Sequence, residues 1–332
     1  MNKLSILKNK NIFLILSCFI LIVIAGFRPI GIDKDSQNYA NIIKSNINVN
    51  LIDKEPGFWI IKYINDNIFN GNIRTFFLIF TIIGVSLKIL AIKKYSLTTT
   101  LSVFAYICLY FILHEMTQIR VGVATGIFLL ALEDIKKRDF KNYFLKTIIA
   151  IFFHYSAFIM IFIYILNPYI INRKLFFFLP LIGILLSLFR NVILNNIISI
   201  AHILPEFLSF KLNNYFDLLL NYGTYSEINL FNFYYLSLIL FYYYSILNYK
   251  KMKSEYDILF IKILGLMLFS FYFLSAIPVL AFRISEFFGI VLIFLIPHII
   301  LTIKEKYIAC IPLFIWLSVY FVFIMLLQVF RR

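Results

Sequence analysis

Charged residues are scarce in this 332-residue chain: they make up 14% of it, against 62% hydrophobic and 19% aromatic residues. A soluble domain carries about 25% charged residues, so this chain has too few to cover a water-facing surface. Glycine and proline are also scarce, at 11 and 8 residues, which excludes a collagen-like or low-complexity chain. The composition therefore predicts a polytopic membrane protein.

Cysteine and acidic residues are few as well. The three cysteines, Cys18, Cys108 and Cys310, lie in apolar runs without paired spacing, so we interpret them as small core residues. The chain has 31 basic and 16 acidic residues, a net charge of +15. In a soluble protein this excess of basic residues would indicate nucleic-acid binding, but here the basic residues cluster between apolar runs. That pattern orients membrane helices, and we expect no nucleic-acid partner.

The apolar residues form continuous runs of about 20 rather than alternating segments, which predicts membrane helices. We predict an all-α fold of ten or eleven transmembrane helices in a single integral membrane domain, residues 1–332. The first apolar run has no small-residue cleavage site before Arg28, so it is interpreted as a retained helix. Arg190 and Asn191 interrupt the region 175–208, which is either two spans or one span and a re-entrant piece. The predicted spans are 11–27, 73–92, 98–114, 117–134, 143–166, 175–190, 191–208, 229–248, 257–277, 279–302 and 307–330.

The basic clusters fall on one side of the membrane if the spans alternate, which predicts that this side is cytoplasmic. Arg331-Arg332 does not fit this count of spans. Two longer segments, 28–72 and 209–228, then lie on the outer face, where water and ions are accessible. The clusters comprise Lys3, Lys8 and Lys10; Lys93 and Lys94; Lys136, Lys137, Arg138 and Lys141; Lys250, Lys251 and Lys253; and Lys304 and Lys306.

The first outer segment contains a motif typical of a helix start. Glu55 and Pro56 precede Gly57, Phe58 and Trp59, and apolar residues follow. Glu55 stands where a carboxylate either complements the helix dipole or acts as an acid or base. We predict a short interfacial helix anchored by Trp59.

Ionisable residues in or beside the spans are the candidate functional residues, because a charge at the bilayer centre costs about 2.5–3.5 kcal/mol on insertion scales. Arg28 either snorkels to the interface or lines the mouth of a cavity. Arg120, beside Gln118, begins a span rich in small residues, and a guanidinium is suited to bind phosphate. His154 is predicted near mid-depth of its span, either as a satisfied core histidine or as a functional group.

Arg283 and Glu286 are three residues apart on one helix face, where they either neutralise each other or face a cavity. Asp33-Lys34-Asp35 matches Asp-x-Asp in letters only, and no pair of histidines or carboxylates has metal-ligand spacing. We therefore expect neither a metal nor another cofactor, and the absence of a Gly-rich phosphate loop argues against a nucleotide site. We interpret four further residues as interfacial: His114, Glu115, His202 and His298.

Several of these residues occur in an order that resembles the EpsG-type branch of the Wzy polysaccharide polymerases. The resemblance is dense to about residue 166 and thin after it. The residues that carry it are Arg28 with Gly31-x-Asp33 and Tyr39; Glu55-Pro56-Gly57-Phe58; Arg120 with its small-residue helix; Phe153-His154-x-Ser156-Ala157; and Arg283-Ile284.

The resemblance implies a GT-C-like glycosyltransferase, an O-antigen polymerase of the bacterial inner membrane with its active site facing the periplasm. Its partners would be undecaprenyl-diphosphate-linked oligosaccharides, the lipid bilayer and a chain-length regulator. The implied roles are the following: Arg28, Arg120 and Arg283 bind the diphosphate; Glu55, Asp33 and His154 are alternatives for the catalytic base; Tyr39, Gln118 and Glu286 contact substrate.

Other classes of protein remain open at this stage. A lipid-linked oligosaccharide flippase or a solute carrier would use the arginines as substrate contacts, although many transporter folds have internal repeats and none is visible here. A non-catalytic scaffold leaves the arginines unexplained. A glycan ligase would use the same donor and cavity, so the sequence separates it poorly from a polymerase.

Overall fold

The computed structural model describes residues 3–33, 35–44, 54–201 and 228–325, with residues 203, 206, 209, 210, 213, 214, 216 and 327. All regular structure in these residues is helical, which confirms the predicted all-α class. The α-helices are α1 Lys3–Gly26, α2 Ser36–Lys44, α3 Pro56–Phe69, α4 Ile73–Tyr95, α5 Thr99–Tyr106, α6 Ile119–Lys137, α7 Phe140–Phe153, α8 Met160–Ile163, α9 Arg173–Ser187, α10 Arg190–Ala201, α11 Phe233–Asn248, α12 Asp257–Phe273, α13 Pro278–Gly289, α14 Leu292–Ile300 and α15 Lys306–Met325.

Tighter and wider turns connect several of these helices. A π-helix, Ile107–Thr117, joins α5 to the residues before α6. Short 3₁₀ segments cover Tyr155–Ile159, Tyr249–Lys251 and Leu274–Ala276. An 11-residue π-helix is unusual, because π-helices mostly occur as single turns and often at functional sites.

Five helical segments of the described residues are long and apolar enough to cross a membrane, or seven if two broken helix pairs each count as one span. The polytopic class is thus confirmed, whereas ten or eleven spans were predicted. Several predicted spans are shorter helices here, and 143–166 is broken at His154. The predicted interruption near Arg190 is confirmed, because α9 and α10 meet at a bend of 86°. Most of the predicted loop 209–228, and all of Arg331-Arg332, lie outside the described residues.

The chain divides into two compact units, Met1–Tyr164 with Ile293–Arg332, and Ile165–Leu292. In the first, α4 packs between α1 and α6, and α7 packs on α6. In the second, α12 packs against α9, α11 and α13. There the buried Lys262 donates through Nζ to the carbonyl oxygens of Asn167 (2.5 Å) and Ile170 (2.6 Å), which satisfies an ammonium in an apolar helix.

Small residues explain how closely the helices of the first unit approach one another. A Cβ on Gly126 of α6 would lie 2.7 Å from the Cβ of Leu87 on α4, and one on Gly122 would overlap the carbonyl of His114. Glycine at these positions therefore permits close helix packing, as small residues do in membrane helices.

The ends of α4 and α6 carry the basic residues that complement the helix dipole. Lys93 and Lys94 lie in the last turn of α4, and Lys136 and Lys137 in the last turn of α6. Lys94 pairs with Glu133 across the two helices. These ends are opposite the helix starts that border the site described next.

Candidate functional site

Glu55 is the N-cap residue of α3, with extended backbone (φ −67°, ψ 153°), and Pro56 follows it at the start of the helix. This confirms the predicted helix start. Carboxylates at this position usually accept a hydrogen bond from the first turn, but Glu55 makes none. Its buried carboxylate, 1% exposed, instead faces α6 and the end of α7.

Three groups converge on the Glu55 carboxylate. Arg120 donates from Nη1 to Oε2 and forms an ion pair. His154 Nδ1 lies 3.1 Å from Oε1, and the backbone N–H of Tyr155 donates to the same oxygen at 3.4 Å. We call Glu55, Arg120 and His154 the outer cluster.

Arg120 occupies the first turn of α6, and its side chain is 13% exposed. Its Nε donates to Tyr39 Oη at 3.4 Å. Gln118 precedes it with non-helical backbone (φ −97°, ψ 56°), donating its N–H to Leu113 O at 2.7 Å and accepting from Gly122 N at 3.0 Å. Gln118 thus forms the turn between the π-helix and α6 that presents Arg120.

His154 ends α7 rather than lying within a continuous span, so the prediction of a mid-span position is wrong. Its backbone is extended (φ −157°, ψ 123°) and its N–H donates to Ala150 O at 2.9 Å. The following 3₁₀ turn carries the chain away and leaves the imidazole facing α3. Gly57 permits this approach, because a Cβ there would lie 2.8 Å from Phe152 O.

Arg28 and Asp33 form a buried ion pair beside the outer cluster, with Nε to Oδ2 at 2.9 Å. The other guanidinium nitrogens donate to Ala25 O (2.6 Å) and Met116 O (2.7 Å). Asp33 Oδ1 accepts from Ser36 N at 2.8 Å, at the start of α2. Burial lowers the pKa of Arg28, and the charge and hydrogen bond of Asp33 oppose this shift.

Aromatic rings connect this ion pair to the outer cluster. The Arg28 guanidinium lies 4.0 Å from the centroid of the Phe77 ring, a cation–π contact. Tyr39 contacts Phe77 edge-on at 6.2 Å and Phe58 at 6.0 Å, with its hydroxyl toward Arg120.

The structure thus brings together six of the nine predicted site residues, with Gln118 next to them in the chain. Arg283 and Glu286 belong to the second unit, half-buried on α13, where their spacing places them on one helix face as predicted. The residues brought together are Arg28, Asp33, Tyr39, Glu55, Arg120 and His154.

A second buried network of polar side chains lies in the first unit, and the sequence analysis did not identify it. Lys88 Nζ donates to Glu115 Oε1 at 2.6 Å, and Tyr106 Oη donates to the same oxygen at 2.8 Å. His114, Glu115 and His298, which the sequence analysis interprets as interfacial, are all buried within the protein. A lysine in the middle of the apolar helix α4 was the signal available in the sequence. His202 lies outside the described residues.

The outer cluster holds a carboxylate, an imidazole and a guanidinium, groups able to move a proton and to stabilise negative charge. In the described part of the chain, no group of three or more His, Cys, Asp and Glu residues is arranged to hold a metal ion.

Together, the helices and the outer cluster define a polytopic helical membrane protein in which a carboxylate, a guanidinium and an imidazole meet at three helix ends. The chain belongs to the EpsG family, whose model matches residues 11–331. Membership of this family supports a glycan polymerase-like function in general. Neither the curated proteins nor the solved structures contain a match to this chain.

Proposed function

We propose that this protein is a polysaccharide polymerase of the O-antigen type. It transfers a growing glycan from undecaprenyl diphosphate to the non-reducing sugar of another lipid-linked repeat unit. The observation that carries the proposal is the convergence of Glu55, Arg120 and His154, from three separate helices, in a chain of the EpsG family.

In the proposed reaction, a hydroxyl oxygen of the acceptor sugar attacks the anomeric carbon of the donor glycan. The bond between that carbon and the diphosphate oxygen breaks, and its electron pair leaves with undecaprenyl diphosphate. The hydroxyl proton passes to the pair formed by Glu55 and His154, in which the carboxylate oxygen Oε1 lies 3.1 Å from the imidazole Nδ1. Such a base contributes roughly 10²–10⁴-fold to a rate.

Arg120 is the residue that we assign to the leaving diphosphate. A guanidinium stabilises developing phosphate charge through paired N–H donors. Of the two candidate diphosphate-binding arginines in the first unit, Arg120 has the more accessible side chain, 13% exposed against 1% for Arg28. Arg28 and Asp33 satisfy each other and the surrounding backbone, so we assign them to positioning. Arg283 is the proposed second cation, and Tyr39, Gln118 and Glu286 are proposed substrate contacts.

Helix direction supports an active site on the periplasmic face of the bacterial inner membrane. The outer cluster is at the start of α6, a helix of 19 residues and about 28 Å in length, and Lys136 and Lys137 are at its other end. The neighbouring helix α4, which is long and apolar enough to cross the ~30 Å hydrocarbon core of a bilayer, likewise carries Lys93 and Lys94 in its last turn. Basic residues favour the cytoplasmic side. We expect the bilayer and a chain-length regulator as partners, and we expect no nucleic-acid partner.

The test is the glycan ladder of cells that lack this gene, with and without the gene on a plasmid. Loss of the ladder with a single repeat unit still on its final carrier, restored by the wild-type gene, supports a polymerase. Loss of all repeat units including the single one indicates a flippase or an earlier step, and repeat units that stay on the lipid carrier indicate a ligase. An unchanged ladder contradicts the proposal.

A further inference from the structure

We propose that the buried ion pair of Lys88 and Glu115 fixes the junction on which Arg120 stands, and so sets the position of the Arg120 guanidinium. Lys88 and Glu115 are then positioning residues for transfer, an inference whose kinetic consequence rests on the proposed function.

The geometry points to a clamp across the start of α6. Lys88 Nζ, on α4, donates both to Glu115 Oε1 (2.6 Å) and to the carbonyl oxygen of Gly122 (2.6 Å). Glu115 lies in the π-helix and Gly122 in α6, so one ammonium holds both sides of the turn. Arg120 lies between these two attachment points in the chain.

The clamped junction has irregular backbone on its N-terminal side. Its helix is of the π type, and Gln118 leaves helical geometry before α6 begins. Arg28 supports the same segment from the other side, donating from Nη2 to Met116 O at 2.7 Å. Arg120 therefore stands on a turn held by two buried cations, Lys88 from α4 and Arg28 from the segment that follows α1.

The packing around Glu115 leaves its carboxylate little freedom. Tyr106 Oη donates to Oε1 at 2.8 Å, and a Cβ on Gly84 would overlap Oε2. Lys88 is fully buried and Glu115 nearly so. Taking both charges out of water is unfavourable, and apolar replacements of buried ion pairs are often no less stable. A role in fixing the position of Arg120 explains why the protein contains this buried ion pair.

The experiment uses the full-length protein in lipid nanodiscs, with lipid-linked repeat units as substrate. Lys88→Met with Glu115→Gln neutralises both partners, so no unpaired charge is buried. The matched control, Lys146→Met with Asp134→Asn, removes a pair of the same unit (2.6 Å) that joins α7 to the cytoplasmic end of α6. Amide hydrogen exchange and transfer kinetics are measured for both variants.

We expect faster exchange confined to the amides of residues 118–123 in the Lys88/Glu115 variant. We also expect kcat to fall about tenfold, with the acceptor KM within twofold of wild type, because a displaced Arg120 weakens transition-state contacts more than acceptor binding. The control variant should match wild type at residues 118–123 and in kcat. If the double variant does not insert, Gly84→Ala displaces Glu115 with both charges retained, and the same expectations apply.

Wild-type exchange at residues 118–123 would overturn the proposal, as would loss of protection throughout the first unit, which indicates a role in stability alone. Local loosening with wild-type kcat would overturn the link to Arg120. If Glu55→Gln and Arg120→Ala also transfer at the wild-type rate, the proposed function fails, and the exchange measurement alone decides whether the junction is clamped.

Discussion

Glu55 and Arg120 form an ion pair although 65 positions separate them in the chain. Glu55 ends the segment before α3, Arg120 begins α6, and His154 ends α7, so the outer cluster joins three helix ends. Helix ends hold these side chains on rigid supports, which suits the proposed site for a lipid diphosphate and a sugar. The predictions below follow from this arrangement.

Glu55→Gln removes the negative charge while keeping the side chain's shape. We expect glycan transfer to fall at least about 10²-fold, because both the proton acceptor and the partner of Arg120 are lost. Steady-state transfer in nanodiscs measures this. Asp66→Asn on the same helix breaks the partly exposed pair with Lys62, which is worth about 0–1 kcal/mol, and should leave the rate unchanged. Equal rates for the two variants would remove Glu55 from the reaction.

Arg120→Lys keeps the charge but not the paired donors of a guanidinium. We expect partial activity, well above that of Arg120→Ala, with shorter glycan chains on a gel. Full activity of the lysine variant would mean that a point charge is sufficient. Full activity of Arg120→Ala, with normal protein abundance, would contradict the diphosphate assignment.

His154→Gln replaces the imidazole with a side chain of similar reach that does not take up a proton near neutral pH. We expect a loss similar to that of Glu55→Gln, and no further loss when the two changes are combined. Residues that act as one unit give such non-additive effects. Independent, multiplying losses in the double variant would show that the two residues act separately.

Gly57→Ala tests the contact that brings α3 to the end of α7. The added Cβ would lie 2.8 Å from Phe152 O and 3.0 Å from the Phe153 ring, so Glu55 must move away from His154. We expect reduced transfer with normal insertion. Asn67→Ala, at an exposed position of the same helix, is the control and should behave as wild type. Normal transfer by Gly57→Ala would show that the Glu55–His154 distance is not critical.

The residues of the outer cluster were predictable from sequence because each is an ionisable group beside an apolar run. Placing a charge in apolar surroundings costs free energy, so such a residue is a candidate for a functional role. Their pairing was not, since it depends on how α3, α6 and α7 pack. The break at His154 also escaped prediction. Residues 143–166 are apolar on both sides of it, and only the turn geometry after Phe153 reveals the end of the helix.

The buried pair of Lys88 and Glu115 shows a different limit. Glu115 follows an apolar run and precedes polar residues, so its sequence context indicates an interface. Its partner is 27 positions away on another helix. Glu115 also lies in the π-helix, and hydropathy does not distinguish a π-helix from an ordinary helix of the same composition.

Arg28→Ala distinguishes the role predicted from sequence from the role that the contacts support. Removing one partner of a buried ion pair costs about 3–5 kcal/mol, so we expect thermal unfolding of the purified protein at a clearly lower temperature. Asp33→Asn should shift the unfolding temperature in the same direction. An unchanged unfolding temperature together with abolished transfer would instead support the hypothesis that Arg28 contacts the diphosphate directly.

Arg283→Ala extends the diphosphate hypothesis to the second unit. We expect loss of long glycan chains with normal insertion and abundance, and partial rescue by Arg283→Lys, because paired donors bind a diphosphate better than a point charge does. Lys253→Ala removes an exposed cation of the same unit and should leave the ladder unchanged. If Arg283→Ala gives chains of normal length while Arg120→Ala does not, one guanidinium is sufficient for the leaving group. The second unit would then contribute to acceptor binding or to packing rather than to the departure of the lipid diphosphate.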